Sequence, residues 1–589
     1  MRERLQPLFP YLKRYKRGLL YGGLSVLFTN AIWILFPQVL RAAVDDLSAG
    51  VTRDKLVFYA LALVGVAAAK GIFQFLTRWI VIGVSREIEF DLRNDLFRHL
   101  ETLSYDYYQR TRTGDIMART TNDLNAVRQM LGPAIMYSAN TLVFTAGALV
   151  FMYGISPTLT LFAFLPLPAV SILIQYFGRR IHERFERIQA TFSDISARAQ
   201  ENFSGARVIR AYVQEEAEMA HFAASNREYI ARSLKLVQLM GMLWPTLQTL
   251  LGLAVVLVLW LGGREVLAGR ITVGQFVAFN TYMVQLTWPI IALGWVINIY
   301  QRGTASMRRI NEILTERPTI SDKDVASDLA GKELTLRGEI EFRGLDFAFM
   351  EEGDAKAKPV LHGINLRIPA GSSLAIVGPT GSGKTTLVNL IPRILDAPKG
   401  TVLIDGRPIT DYPLATLRRN IGFVPQETFL FSDTVRENIA FGTASATDEQ
   451  IRRAAEGASI AADIESFPEG YNTIVGERGI TLSGGQKQRT AIARAIIRDP
   501  RILVLDDALS SVDTYTEERI LDHLREVMRG RTTILISHRV STVRSADKIA
   551  VLHDGRIVEY GTHDELIQRD GYYTDLYNKQ LLEEELAQV

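Results

Sequence analysis

Apolar and polar positions are distributed unevenly along this 589-residue chain. Six apolar stretches lie near residues 19–40, 56–82, 135–154, 159–177, 236–262 and 273–300. Each approaches or exceeds the about 20 residues that a helix needs to cross a bilayer. Six in succession predict membrane spans rather than buried core helices. The first is too long for a signal peptide, and no small-residue cleavage site follows it. Two connections, 84–131 and 178–235, are long and charged, with apolar residues recurring at three- and four-residue steps. They predict helices that continue about 30 Å below the membrane, at about 1.5 Å per residue. Their turns are expected near 113–115 and 204–206, within reach of a cytosolic domain. Residues 5–15 mix apolar and basic side chains and suit a short helix in the membrane interface.

After a polar linker at 314–337, β-type runs alternate with helical ones, the pattern of an α/β domain. The net charge of +2 is too small to argue for nucleic acid as a partner. Cysteine is absent, which excludes a disulfide framework and a thiolate metal site. Charge also sets orientation. Arg2, Arg4, Lys13, Arg14, Lys16 and Arg17 precede the first span against one acid, Glu3. The short connections near 45–55, 154–158 and 263–271 carry little net charge. Basic residues favour the cytoplasmic side, so the N-terminus is expected there. Six spans return the C-terminal half to the same side, where ATP is.

The chemistry sits in that half. Gly378, Pro379, Thr380, Gly381, Ser382, Gly383, Lys384 and Thr385 spell G-x-x-x-x-G-K-[ST]. They lie between an apolar run at 373–377, read as a strand, and a helix opening at Lys384. Glycines at this spacing let backbone N–H groups wrap phosphate oxygens. Lys384 reaches the terminal phosphates, the Thr385 hydroxyl binds Mg²⁺, and Thr386 follows in the same turn. A second buried strand ends in Asp506, which suits a metal-facing carboxylate, and a third ends in His538. The fold class expected is a multidomain membrane protein. An all-α six-helix transmembrane domain with long cytoplasmic extensions (1–313) and the linker (314–337) precede an α/β P-loop ATPase domain (338–575) and a tail (576–589).

Leu482-Ser483-Gly484-Gly485-Gln486 carries the signature of the ABC ATPases, and the whole chain resembles an ABC exporter half-transporter. The resemblance implies ATP and Mg²⁺ as cofactors and assigns roles by motif. Phe349 matches the aromatic that stacks on adenine, where tyrosine is commoner. Gln426, in Phe-Val-Pro-Gln, matches the loop glutamine that senses Mg²⁺. Ser483 to Gln486 match the segment that reaches the ATP held by the other subunit; Ser483 can cap a helix that presents backbone donors there. Asp513 matches a dimer-contact loop and His538 the switch histidine. No motif occurs twice, so one chain holds half of a two-site machine. Its partner is a second half-transporter subunit.

One position departs from the pattern. The residue after the strand-end aspartate is normally Glu, which polarises the attacking water, and here it is Asp507. Aspartate is one methylene shorter. A displacement of about 1 Å can cost about 10²-fold in rate. The segment 507–513 resembles the degenerate subunit of heterodimeric multidrug-resistance-like exporters, so a heterodimer is favoured. The function expected is ATP-driven export or flipping of a small hydrophobic or amphiphilic substrate across the inner membrane of a prokaryote. Its alternatives are a slow homodimeric lipid or drug exporter and an ATP-gated, channel-like module. In the membrane half, Lys70, Gln74 and Arg78 fall on one face of the second span. They either meet an anionic substrate or lipid headgroup, or are held by polar groups of neighbouring helices. Asn280, Tyr282, Gln285 and Trp288 of the last span are further candidates for a cavity lining.

Overall fold

The computed structural model describes residues 6–587, except 51, 166, 328, 330–333, 350–358, 444, 477–478, 480, 511–513 and 538. The chain divides into two units, one of Met1–Leu100 with Gly114–Thr315 and one of Glu101–Thr113 with Glu316–Val589.

The first unit is helical. Its main helices are α1 (Lys16–Ala49), α2 (Arg53–Thr102), α3 (Thr113–Ile155), α4 (Pro157–Phe164), α5 (Leu167–Ser204), α6 (Glu215–Leu267) and α7 (Val273–Thr315). Five of them, α1, α2, α3, α6 and α7, are long and apolar enough to cross a membrane by length and composition. The fourth expected span is divided between α4 and the start of α5, and the sequence there reads Leu165-Pro166-Leu167-Pro168. Residue 166, between the two helices, lies outside the described residues. None of the most apolar window of α2 is buried within the protein. In water such a helix would not persist, because the membrane supplies its apolar surroundings.

Polar bonds and small residues join these helices. Thr29 and Thr77 hydroxyls lie 3.3 Å apart, Asn30 Nδ2 donates to Asn140 Oδ1 at 2.8 Å, and Tyr282 Oη donates to Ile34 O at 2.7 Å. A Cβ at Gly22 would lie 2.6 Å from Val81 Cγ2, so glycine sets the approach of α1 to α2. Before its apolar stretch, α3 carries two π-helical stretches, Arg119–Asp123 and Met130–Ala134. Asp123 is buried there and accepts from Ser306 Oγ at 2.9 Å and Arg309 Nε at 2.8 Å on α7.

The turn after α2 lies at 103–112 and holds a short helix, Tyr105–Arg110. The expectation of a tip at 113–115 is corrected by a few residues. Thr113, Gly114 and Asp115 open α3 instead, and an acid in a first turn favours a helix start. Ser104 Oγ is held by Ile320 N at 3.0 Å and Thr319 Oγ1 at 2.8 Å. The other turn holds the helix Ala206–Ala211, which follows Gly205.

The second unit has two sheets. Strands β1 (Ile340–Ala348), β2 (Pro359–Ile368), β4 (Val402–Ile404) and β5 (Arg407–Pro408) form an antiparallel sheet ordered β2-β1-β4-β5. Strands β3 (Ser373–Val377), β6 (Ile421–Val424), β7 (Ile502–Asp506), β8 (Thr532–Ile536), β9 (Lys548–His553) and β10 (Arg556–Gly561) form the other, ordered β10-β9-β3-β8-β7-β6. All its pairings except β9 with β10 are parallel. Every residue of β7 and β8 is buried, which explains their unbroken apolar runs.

Candidate nucleotide site and membrane cavity

The register of the parallel sheet brings the motif residues to one edge. Ile376 pairs with Ile536, Asp506 with Ile536 and Leu505 with Val424. The carboxyl ends of β3, β8, β7 and β6 therefore lie side by side, where open α/β sheets bind ligands. From those ends emerge Gly378, the segment with His538, Asp506 with Asp507, and Gln426 two residues past β6. His538 and Asp513 fall outside the described residues.

The loop from Gly378 to Gly383 joins β3 to the helix α8 (Lys384–Asn389). Gly378 has φ 150°, and a Cβ there would come within 2.0 Å of Leu552 O on β9. Gly381 and Gly383 have φ of 84° and 98°, the left-handed region that a side chain disfavours. Lys384 Nζ donates to Gly378 O at 2.8 Å and Pro379 O at 2.9 Å. Burial pushes its ammonium below the ordinary lysine range, while Asp506 and Asp507 act in the opposite sense. The lysine of the loop and the two strand-end acids thus share one field. Ser382 Oγ is buried without a hydrogen-bond partner among the described residues, which suits a group that meets phosphate. Thr385 is exposed and Thr386 half-buried at the start of α8.

Asp506 is 1% exposed. Among the described residues there is no cluster of three His, Cys, Asp or Glu able to hold a metal. A Mg²⁺ held by Asp506, Thr385 and Gln426 would therefore draw further ligands from phosphate oxygens, as Mg²⁺ commonly does. Asp507 stands in the left-handed region, φ 50°, one of the few conformations there that aspartate accepts readily. Its N–H donates to Ile536 O at 2.9 Å, and its carbonyl accepts from Ser510 Oγ at 3.0 Å. The main chain is held by both bonds, so the reach of the carboxylate is set by the side chain, through its length and its rotamer. Phe349 follows β1, two-fifths exposed and edge-on to Phe347 at 5.3 Å.

Ser483 caps the helix α9 (Gly484–Ile496) through a capping box. Ser483 Oγ accepts from Gln486 N at 3.3 Å, and Gln486 Oε1 accepts from Ser483 N at 3.0 Å. The Gln486 amide also donates to Asp463 at 3.0 Å, and Arg489 pairs with the same carboxylate at 2.8 Å. The cap is thereby braced from the neighbouring helix, and Gly484 and Gly485 begin α9 with no side chain over their backbone. Further along α9, Arg494 is half-buried and its guanidinium is pushed down to about 10 by desolvation.

In the membrane unit two adjoining cavities, of about 700 and about 140 Å³, share Asn30, Trp33, Lys70, Tyr137 and Asn140. The larger also takes in Gln285, Trp288 and Trp295, the smaller Gln74 and Arg78. Asn280 lines neither. It precedes Gln285 by five residues, about 140° around a helix. Tyr282 is fully buried and bonded to Ile34 O, which makes it an interhelical tie. Trp33, Asn30, Tyr137 and Asn140 were not singled out by sequence. An asparagine inside an apolar span is the signal that could have found Asn30 and Asn140.

A phosphate loop, a strand-end acid and a capped signature helix on an α/β sheet, on one chain with long apolar helices, define a membrane-bound transport ATPase. The ABC transporter transmembrane region matches residues 19–290, and the ABC transporter ATPase region matches 361–510. The probable multidrug resistance ABC transporter ATP-binding/permease protein YheI of Bacillus subtilis is 38% identical, over 98% of each chain. The multidrug resistance-like ATP-binding protein MdlA of Escherichia coli is 36% identical, over 97% of this chain and 96% of the relative. A solved structure of a bacterial Atm1-family ABC exporter with ATP bound aligns with a TM-score of 0.77 at 31% identity, covering 96% of this chain and 99% of that one. The chain belongs to the ABC transporter family. It is an ATPase with the exporter arrangement, and it works with a second half-transporter subunit.

Proposed function

We propose that this chain is the degenerate-site subunit of a heterodimeric exporter that moves a hydrophobic or amphiphilic substrate out of a prokaryotic cytoplasm. The observation that carries the reading is Asp507 in place of glutamate, on a main chain fixed by Ile536 and Ser510. Because the backbone is held, it does not advance to make up for the missing methylene. ATP at this site is held by the loop from Gly378 to Thr386, with Phe349 against the base, and is cleaved slowly. Ser483, Gly484, Gly485 and Gln486 complete the partner's site, where the competent base stands. Gln426 and His538 serve the γ-phosphate side of the site in this chain, and Asp513 stands in the loop at the dimer contact. ATP supplies the free energy by binding between the two subunits and by hydrolysis. Relatives include an ATP-dependent lipid A-core flippase of Syntrophus aciditrophicus, 36% identical over 96% of this chain, which is compatible with an amphiphilic cargo. The basic residues ahead of the first span favour cytoplasmic termini.

Asp507→Glu tests the reading. Restoring the methylene is expected to raise cleavage at this chain's own site by about 10- to 100-fold, measured as single-turnover hydrolysis in an assembly whose other site is disabled. No increase would remove the argument from side-chain length.

A further inference from the structure

On this chain's side, the two adjoining membrane cavities present two cations, Lys70 and Arg78. Lys70 Nζ sits 4.1 Å from the centre of the Trp33 ring. Among the described residues neither Lys70 nor Arg78 makes an ion pair or a hydrogen bond, and no acidic side chain lines either cavity. Lys70 falls near the middle of the apolar stretch of α2, where an uncompensated charge is costly. Arg78 lies two turns further along, about 12 Å toward the charged extension of α2. Across the cavity stands a wall of aromatic surface. Tyr137 and Trp295 pack edge to face at 5.1 Å, and Trp288 is 76% exposed.

We infer that this cavity takes an anionic amphiphile, with its acidic head drawn along Arg78 to Lys70 and its apolar body laid against Trp288 and Trp295. This rests on the exporter reading and specifies its substrate. The physical case is complementarity. A cation in a low-dielectric cavity recovers its desolvation cost when a counter-ion arrives, whereas a cationic ligand would meet two like charges. The contact with Trp33 holds the ammonium meanwhile, since an aromatic face is a weak partner for a cation. A carboxylate, sulfate or phosphate head would then share Lys70 with that ring. Such a head can come from a membrane lipid or from a free amphiphile.

The test uses the assembly purified with whichever subunit accompanies this chain, in nanodiscs of zwitterionic lipid. Two brominated probes share one tail, 12-bromododecanoate and 12-bromododecyltrimethylammonium. Quenching of tryptophan fluorescence reports occupancy beside Trp33, Trp288 and Trp295 without requiring turnover. The anion is expected to quench at a concentration at least about tenfold lower than the cation. The double substitution Lys70→Gln with Arg78→Gln is expected to erase that preference and leave ATP binding unchanged. If that variant does not fold, Lys70→Arg is expected to keep the preference and Trp288→Ala to weaken binding of the anion. Equal quenching by both probes, no quenching by either, or a preference that survives the double substitution would overturn the inference. Repeating the titration with phosphatidic acid in the disc separates the two sources. Competition by the lipid assigns the site to headgroups, and its absence assigns it to free amphiphiles. Amphiphile transport with no anion preference would sink this inference alone. Anion binding with no transport of any amphiphile would sink the exporter reading alone.

Discussion

Single atoms decide the nucleotide loop. At Gly378 a methyl group would stand 2.0 Å from a carbonyl oxygen of the neighbouring strand, and no rotamer relieves a clash that begins at Cβ. Gly378→Ala is expected to abolish ATP binding, measured with a fluorescent nucleotide, while the membrane unit still folds. Lys384→Ala should also abolish binding at this site, by removing the cation that reaches the terminal phosphates. Binding of ATP to either variant at the affinity of the unaltered chain would remove the loop from the site. These residues were legible in the sequence because the glycine spacing and a lysine at a fixed offset write the geometry directly. The cavity was less legible. Lys70, Gln74 and Arg78 announce themselves as polar groups at helical spacing in an apolar span, but their neighbours Trp33, Tyr137 and Asn140 come from other helices. Only packing brings them together, and polarity alone does not say which way a residue such as Asn280 faces.

Helices and their caps carry the next level. Ser483 closes α9, and in the proposed function the first turn of that helix meets the partner's nucleotide; two substitutions separate these tasks. Ser483→Ala loses the side-chain acceptor of the cap and is expected to cost about 1 kcal/mol of stability. Ser483→Arg adds bulk where the backbone donors are presented, and should stop hydrolysis at the partner's site. Full ATPase activity in an assembly carrying Ser483→Arg would refute the composite site. In the membrane unit, Arg309→Ala would leave the buried Asp123 with the Ser306 hydroxyl in α7. The loss is expected to be about 1–3 kcal/mol, read as a lower midpoint of thermal unfolding. An unchanged midpoint would mean that the tie between α3 and α7 adds nothing. Helical extensions were readable from their periodicity, but their ends were not. Thr113-Gly114-Asp115 looked like a turn because glycine breaks helices, whereas at a helix start it costs little and the acid helps.

At the scale of the whole molecule, the proposed function makes the two ATP sites unequal. An intact signature helix beside a shortened acid is expected to serve the partner's ATP better than this chain's own. The six apolar stretches, the single set of motifs and the α/β sheet were all visible in sequence, because each depends on local pattern. The pairing of subunits was not, because it resides in a second chain. The most direct measurement is steady-state ATPase of the purified assembly with Asp507→Asn. If Asp507 is not the working base, turnover stays largely intact, and the matching substitution of the partner's glutamate stops it and traps ATP between the subunits. A homodimer of this chain with brisk ATPase that Asp507→Asn abolishes would contradict the account.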